Sequence, residues 1–322
     1  MYIQFNKESR IELAVLLRAG KNKTECSKIL VISRSNIHLE INRGISPDGI
    51  YRGSFAHKQY LIRRKTSKQR YRKIENNKIL QIYIITKIKE YWSPEQIAGR
   101  IREEKNILIC HETIYQYIYT ERKDLIKYLR HEKSKYRRRR GSIKRIIQNK
   151  ASKIRRIDER PQIVNDRSRI GDWENDTVIG KEKTQRILTF TERKSGYGIA
   201  KKLNIVRAEK VHDIEVSVFN KIPKHKRLTL TRDNGTEFGD LDIDLEKKTK
   251  MDVFRAHAYH SWERGTNENW NGLLRQFFPK GMLFAKLNQS EINRVVNLIN
   301  NRPRKRLGYS TPKEIFKCNG SD

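Results

Sequence analysis

Apolar residues keep helical spacing through the first 130 positions of the chain and turn to alternation after residue 170. Ile11, Leu13, Ala14, Leu16 and Leu17 predict a helix over 9–17, stopped by Ala19-Gly20. Thr24 is placed to cap a short helix to Leu30 and Ser33 another through Arg43, with Ile37 and Ile41 turned inward and Gly44 as the break. Helix, short turn, helix leaves Arg34, Ser35, Asn36, His38 and Asn42 exposed on the second helix. The N-terminal end of such a helix can enter a major groove, where polar side chains reach base edges. The plainer reading of the same pattern is a small helical bundle used for packing.

A second unit opens at Trp92-Ser93-Pro94-Glu95, where Ser93 is an N-cap, Pro94 suits the first helical position and Gln96 completes a capping box. Ile97, Ala98 and Ile101 form its inner face. After a loop near Asn106, the run from Cys110 to Tyr115 starts another helix, with Ile114 and Ile118 inward and Tyr115, Gln116 and Tyr119 exposed. His111, Tyr115 and Gln116 are its candidate DNA contacts. Between the units, Tyr51 to Lys73 is strongly basic with Tyr60 and Tyr71 interleaved, which suits a backbone-tracking groove and an exposed helix face equally.

The pattern then changes. Gly171 to Gly180 reads as a strand bounded by glycines, and Arg186–Thr191, a turn through Gly196 and Tyr197–Leu203 complete an antiparallel meander. Lys210–Asn220 is helical through Val211, Ile214, Val218 and Phe219, and Arg227–Thr231 is a strand halted at Asp233-Asn234-Gly235. Ser261–Phe278 is helical, with Thr266 as its cap and Glu268 in the first turn, where the helix dipole favours a carboxylate. Three strands, a helix, a strand and an acid-bearing helix is the order of a ribonuclease-H-like fold. Leu287–Ile299, with Ile292, Val295, Val296 and Ile299 at helical spacing, closes the core.

Three acids stand out in that order: Asp176 inside the first strand, Asp233 at the end of the fourth, and Glu268 a further 35 positions on. Asp172, Glu174 and Asp176 share one face by the strand period of two. Asp176 is favoured because Val178-Ile179 continue the strand beyond it, with Glu174 in reserve; Glu237 competes with Asp233, and Glu263 with Glu268. Attack on a phosphodiester builds negative charge that two metal ions roughly 3.5 to 4 Å apart neutralise. Mg²⁺ takes a few carboxylates and completes its shell with water and substrate oxygens. Asn271, Gly272 and Arg275 share the helix face of Glu268. Asn271 and Arg275 are therefore candidates to hold DNA backbone, while Leu274, Phe277 and Phe278 pack.

Charge narrows the partner. Lys and Arg number 71 against 37 Asp and Glu, a formal net charge of +34 that points to a polyanion, with nucleic acid first. Residues 131–160 alone carry 13 Lys and Arg against three acids, with Arg137, Arg138, Arg139 and Arg140 at the centre. That run reads as a linker lying on phosphates, against the alternative of a solvated, self-repelling tail. Cys26, Cys110 and Cys318 are too far apart for a disulfide framework or a Cys-x-x-Cys zinc site, so a reducing cytoplasm is the expected compartment. The apolar stretch Ile79–Ile85 is too short to span a bilayer, and neither a targeting signal nor a membrane partner is expected.

Several strings together resemble the DDE transposases of bacterial insertion sequences, specifically the IS-thirty family. They are Trp-Ser-Pro-Glu-Gln-Ile-Ala-Gly-Arg (92–100), His-Glu-Thr-Ile-Tyr (111–115), Gly-Asp-Trp-Glu-Asn-Asp-Thr (171–177), Asp-Asn-Gly-Thr-Glu-Phe (233–238), Trp-Glu-Arg-Gly-Thr-Asn-Glu-Asn (262–269) and Asn-Arg-Pro-Arg-Lys-Arg-Leu-Gly-Tyr (301–309). The resemblance implies an all-α helix-turn-helix N-terminal region that binds terminal inverted repeats, followed by an α/β ribonuclease-H-like, integrase-type catalytic core. Its acids match Asp176, Asp233 and Glu268, as catalytic residues and as ligands of two Mg²⁺ ions, with Mn²⁺ as a substitute. The implied reaction hydrolyses the phosphodiester at the element's ends and then uses the freed 3′-OH to attack target DNA. Pairing two ends implies a homo-oligomer, at least a dimer.

The expected organisation is a first helix-turn-helix at 1–50, a basic helical connector at 51–90, a second helix-turn-helix at 91–130, the basic linker at 131–160, the catalytic core at 161–285 and a C-terminal helical segment at 286–322. Two departures from the family pattern are visible. Asn175 replaces the glycine usual before the first aspartate, and Cys26, Ser27 and Val31 stand where helix-turn-helix units prefer an aliphatic residue, alanine and glycine. Rival chemistries fail on spacing, since no histidine has Arg three places on, as a tyrosine recombinase needs, and no two histidines are two apart. A catalytically silent DNA-binding regulator descended from a transposase is the alternative, and the intact acid set argues against it.

Overall fold

The computed structural model describes residues 5–67, 72–130, 155–257 and 260–318. The chain divides into two compact units, Met1–Gln81 and Ile82–Asp322. In the first, α1 (Lys7–Arg18), α2 (Lys23–Leu30), α3 (Arg34–Gly44) and α4 (Gly53–Thr66) surround Leu13, Cys26, Ile32, Ile37, Tyr51 and Ala56. The cap of α2 is Asn22, not Thr24: the Asn22 side chain accepts from the backbone of Thr24 and Glu25, and Glu25 returns a bond to the Asn22 N–H. Ser33 caps α3 as expected. Gly44 is the last residue of α3 and is needed for space, since a Cβ there would stand 2.5 Å from Ala56 and 2.6 Å from Tyr51.

The boundary between the units falls inside α5 (Lys78–Lys89). The second unit continues with α6 (Pro94–Lys105), α7 (His111–Thr120) and a short 3-10 turn at Lys123–Tyr128. Ser93, Pro94 and Gln96 form the expected capping box, and Ile97, Ile101, Ile114 and Ile118 are fully buried. Tyr115 and Tyr119 are half-buried, where the spacing predicts full exposure.

The helix pair is docked onto the C-terminal segment. Gly99 of α6 lies against the ring of Tyr309, and Arg100 makes a two-pronged ion pair with Glu314 (2.9 and 2.8 Å).

A short helix, α8 (Gln162–Asn165), leads into the sheet, whose strands are β1 (Asp172–Ile179), β2 (Arg186–Glu192), β3 (Gly198–Leu203), β4 (Thr229–Arg232) and β5 (Asp252–Arg255). Their spatial order is β3-β2-β1-β4-β5. β2 pairs antiparallel with both β1 and β3, while β4 pairs parallel with β1 and β5 parallel with β4. Between and after them run α9 (Ala208–Phe219), α10 (Asp242–Thr249), α11 (Gly265–Leu274), α12 (Gln289–Asn300) and α13 (Pro312–Cys318). The protein is thus a helical N-terminal region followed by a mixed five-stranded ribonuclease-H-like core.

The sequence pattern predicts neither α10 nor β5. The last residues of the expected linker also join the core, where Arg156 bridges Arg255 beside β5 and Arg160 is buried.

Both faces of the sheet are covered. Trp173, Phe190, Val211, Phe219 and Leu245 pack on the α9 and α10 side; Val178, Ile187, Trp270, Leu274, Phe278 and Ile292 pack on the α11 and α12 side. The alternation along β1 therefore sends Asp172, Glu174 and Asp176 toward α11.

Candidate active site

The register Glu174↔Thr231 between β1 and β4, continued by two residues, sets Asp233 level with Asp176. Both carboxylates meet one guanidinium: Arg264 Nη2 donates to Asp233 Oδ2 at 3.0 Å, and its Nη1 lies 3.6 Å from Asp176 Oδ1. Arg264 Nη1 also donates to the Asn175 carbonyl at 3.1 Å. Asp176 is further held by the Thr177 N–H (2.7 Å) and by Asn271 Nδ2 from α11 (3.1 Å), and Asp233 by the Gly235 N–H (2.9 Å). Burial pushes the Asp176 carboxyl above the usual carboxylate range, Arg264 opposes this, and Asp233 adds to it.

The rival acids have structural partners. Asp172 accepts two bonds from Arg169 and one from Thr229, and Glu174 is paired to Arg193 and accepts the Asn267 N–H. Glu237 is tied to Arg186 and Thr177, while Glu263 clamps His257 through its backbone N–H and Nδ1. Bonding to Glu263, then the charge of Asp158 beyond it, raises the His257 imidazole above its ordinary value.

Glu268 differs from all of these. It is exposed in the first turn of α11 and makes no hydrogen bond or ion pair with another described residue.

Asp176 and Asp233 are therefore brought together and Glu268 is not gathered with them. Among the described residues no group of three or more His, Cys, Asp or Glu side chains is arranged to hold a metal ion. Arg264 supplies the positive charge between the two aspartates. The donor set still fits a hard divalent cation, because Mg²⁺ binds through one or two carboxylates and fills its octahedron with water and substrate oxygens.

The cap of α11 is Arg264 rather than Thr266, which is buried with its hydroxyl unpartnered among the described residues. Arg264 sits inside the string 262–269, yet nothing in its spacing marks it as the shared partner of two acids.

Asn175, the departure from the family pattern, has its own place. Its Nδ2 donates to Glu215 of α9 at 2.5 Å, and Glu215 also accepts from Arg232, the residue before Asp233. Arg232 reaches Asp242, which in turn pairs Arg255. This buried chain of charges fixes the ends of β1, β4 and β5 from behind the acids.

The candidate DNA contacts fall in three places. Arg34, Ser35, His38 and Asn42 are exposed on α3 and Asn36 is half-buried, with His38 held between Lys23 (2.8 Å) and Asn42 (3.2 Å). His111 and Gln116 are exposed on α7. Asn271 is committed to Asp176 and Thr189, and Arg275 donates to the carbonyls of Ile179 (2.8 Å) and Phe278 (3.4 Å). These two positions brace the strand beside the acids in this structure. Arg137, Arg138, Arg139 and Arg140 lie outside the described residues.

No protein-family model matches the chain. The transposase for insertion sequence element IS4351 of Bacteroides fragilis is 36% identical over 317 residues, covering 97% of this chain and 94% of that protein. The chain belongs to the insertion-sequence transposases. Transposase InsI for insertion sequence element IS30A of Escherichia coli (strain K12) is 34% identical over 260 residues, 76% of this chain and 66% of its own length. The putative integrase ORF3 of Spiroplasma virus SpV1-R8A2 B is 30% identical and covers 99% of the chain and all of its own. Among solved structures, the catalytic core domain of BIV integrase covers 46% of this chain and 94% of its own, at 21% identity and a TM-score of 0.35. Among the described residues of this transposase-family chain, no helix is long and apolar enough to cross a membrane.

Proposed function

We propose that the chain is a divalent-metal-dependent DNA transposase that binds the terminal inverted repeats of its element, cleaves there and transfers the 3′-OH end into target DNA. The observation that carries the reading is the convergence of Asp176 and Asp233 from two adjacent parallel strands onto one cation position, in a chain of this family. Asp176 and Asp233 would hold the metal, and Glu268, which stands apart from them in this structure, would join them from the first turn of α11 when the metal binds. When bound, Mg²⁺ supplies charge neutralisation for the attacked phosphodiester and lowers the pKa of a ligated water.

The chain's own groups do the positioning. Asn271 and the Thr177 N–H orient Asp176, the Gly235 N–H orients Asp233, and Arg264 neutralises the pair when no metal is present. The helix pairs α2–α3 and α6–α7 carry DNA recognition, and the +34 charge gathers the polyanion. Bringing two ends together calls for at least two copies. The test is the purified Asp233→Asn variant, which keeps binding terminal-repeat DNA and loses strand cleavage; undiminished cleavage ends the metal-site assignment.

A further inference from the structure

Asn301-Arg302-Pro303-Arg304 follows α12, and the acids have no use for it. Both arginines line a cavity of about 390 Å³ that also takes in Arg130, Asn269, Tyr115 and Tyr119. Arg302 is only 2% exposed. Its guanidinium lies over the rings of Phe277 and Tyr91, 5.2 and 5.9 Å from their centroids, and its Nη1 donates to Gln276 Oε1 at 3.0 Å. Its Nε and Nη2 have no hydrogen-bond acceptor among the described residues. A buried donor without an acceptor is costly, and more so when charged.

No carboxylate among the described residues compensates for it. Burial, then the like charges of Arg304 and Arg130, push Arg302 down to about 9, which leaves it protonated at neutral pH. Arg304 donates from Nη2 to the Ile299 carbonyl at 3.2 Å. Glu95 is the acid on the lining, and Lys305 pairs it at 3.3 Å. Arg130 rests on the catalytic helix: its Nη2 lies 3.3 Å from where a Cβ on Gly272 would stand. Gly272 is one turn beyond Glu268, and Asn269 of the lining is the neighbour of Glu268 in the chain.

We propose that Arg130, Arg302 and Arg304 form a binding site for a phosphodiester of the DNA backbone, beside the candidate catalytic Glu268. The identity of the polyanion rests on the transposase reading; the site itself does not depend on the metal assignment. Planar guanidinium forks match phosphate oxygens in pairs, and burial such as that of Arg302 strengthens such bonds. Tyr115 and Tyr119, stacked at 6.0 Å with an 11° tilt, offer aromatic faces to the adjoining nucleotide. The site joins α7 of the second helix pair to α11 of the core, so one strand of DNA would touch both.

The test uses the full chain in metal-free buffer and a fluorescein-labelled duplex, with affinity followed by anisotropy over a series of KCl concentrations. In the double variant Arg130→Gln/Arg304→Gln the slope of log K against log[KCl] falls by about 0.9 for each phosphate no longer neutralised. The proposal expects inorganic phosphate to raise the thermal midpoint of the wild type and to leave that of the double variant unmoved. Arg302→Gln behaves likewise if it folds; if it does not, the double variant outside the buried stack decides. A folded double variant with the wild-type slope and unchanged phosphate protection overturns the proposal, because arginines that merely pack against rings would leave both readings unmoved. Cleavage by Asp233→Asn would sink the metal site while leaving this slope untouched, so the two failures are distinguishable.

Discussion

Val31 caps α2 in the left-handed region, at φ 53°, where a β-branched side chain is strained and glycine is not. Its side chain is 73% exposed, so little burial offsets the strain. Val31→Gly is therefore expected to stabilise the protein by roughly 0.5–1 kcal/mol after the extra chain entropy of glycine. A rise in the urea midpoint at unchanged m checks this; no rise, or a fall, contradicts it.

The same scale shows what can be read from residues and what cannot. Asp176 is separable from Asp172 and Glu174 in the sequence only by strand position and family resemblance; in the structure Asp172 and Glu174 pair with Arg169 and Arg193, while Asp176 shares Arg264 with Asp233. Partners 3 to 19 positions away, one across a strand pair, leave no local signature. Arg264 escapes notice for the same reason, since its two acids lie far from it along the chain.

At the scale of elements, strong start signals are legible. Ser33 and the box of Ser93 with Gln96 cap their helices, because capping is a local exchange of hydrogen bonds within four residues. The strands β1, β2 and β3 are legible from alternation and their glycine-bounded turns. α10 is hidden because six of its eight residues are charged or polar and only Leu245 joins the apolar core. β5 is hidden because its four residues lack a turn signal such as the Asp233-Asn234-Gly235 that ends the equally short β4.

Packing also fixes glycines that sequence leaves unexplained. A Cβ on Gly198 would stand 2.1 Å from the indole of Trp270, so the close approach of β3 to α11 at this point requires glycine. Gly198→Ala should cost about 1–3 kcal/mol through overpacking. Calorimetric or denaturant unfolding reads the loss, and a midpoint equal to wild type would mean that Trp270 moves freely.

At the scale of the whole molecule, the chain joins two helix pairs, proposed to recognise DNA, to the mixed sheet that carries the candidate acids, within a strongly positive protein. The structure adds one arrangement the sequence does not show: α6 and α7 belong to the same compact unit as the core, fastened by Arg100 to Glu314 and by Gly99 against Tyr309. Recognition by the second helix pair and chemistry at the acids would then act on DNA as one body.

The central claim is that Asp176, Asp233 and Glu268 form one catalytic centre, and Glu268 is its most exposed member to test. Glu268 has no structural partner among the described residues, so Glu268→Gln should leave the unfolding midpoint and the binding of terminal-repeat DNA unchanged. The decisive measurement is Mg²⁺-dependent strand cleavage by that variant. The account predicts that cleavage falls below detection while binding persists; cleavage at the wild-type rate would contradict it.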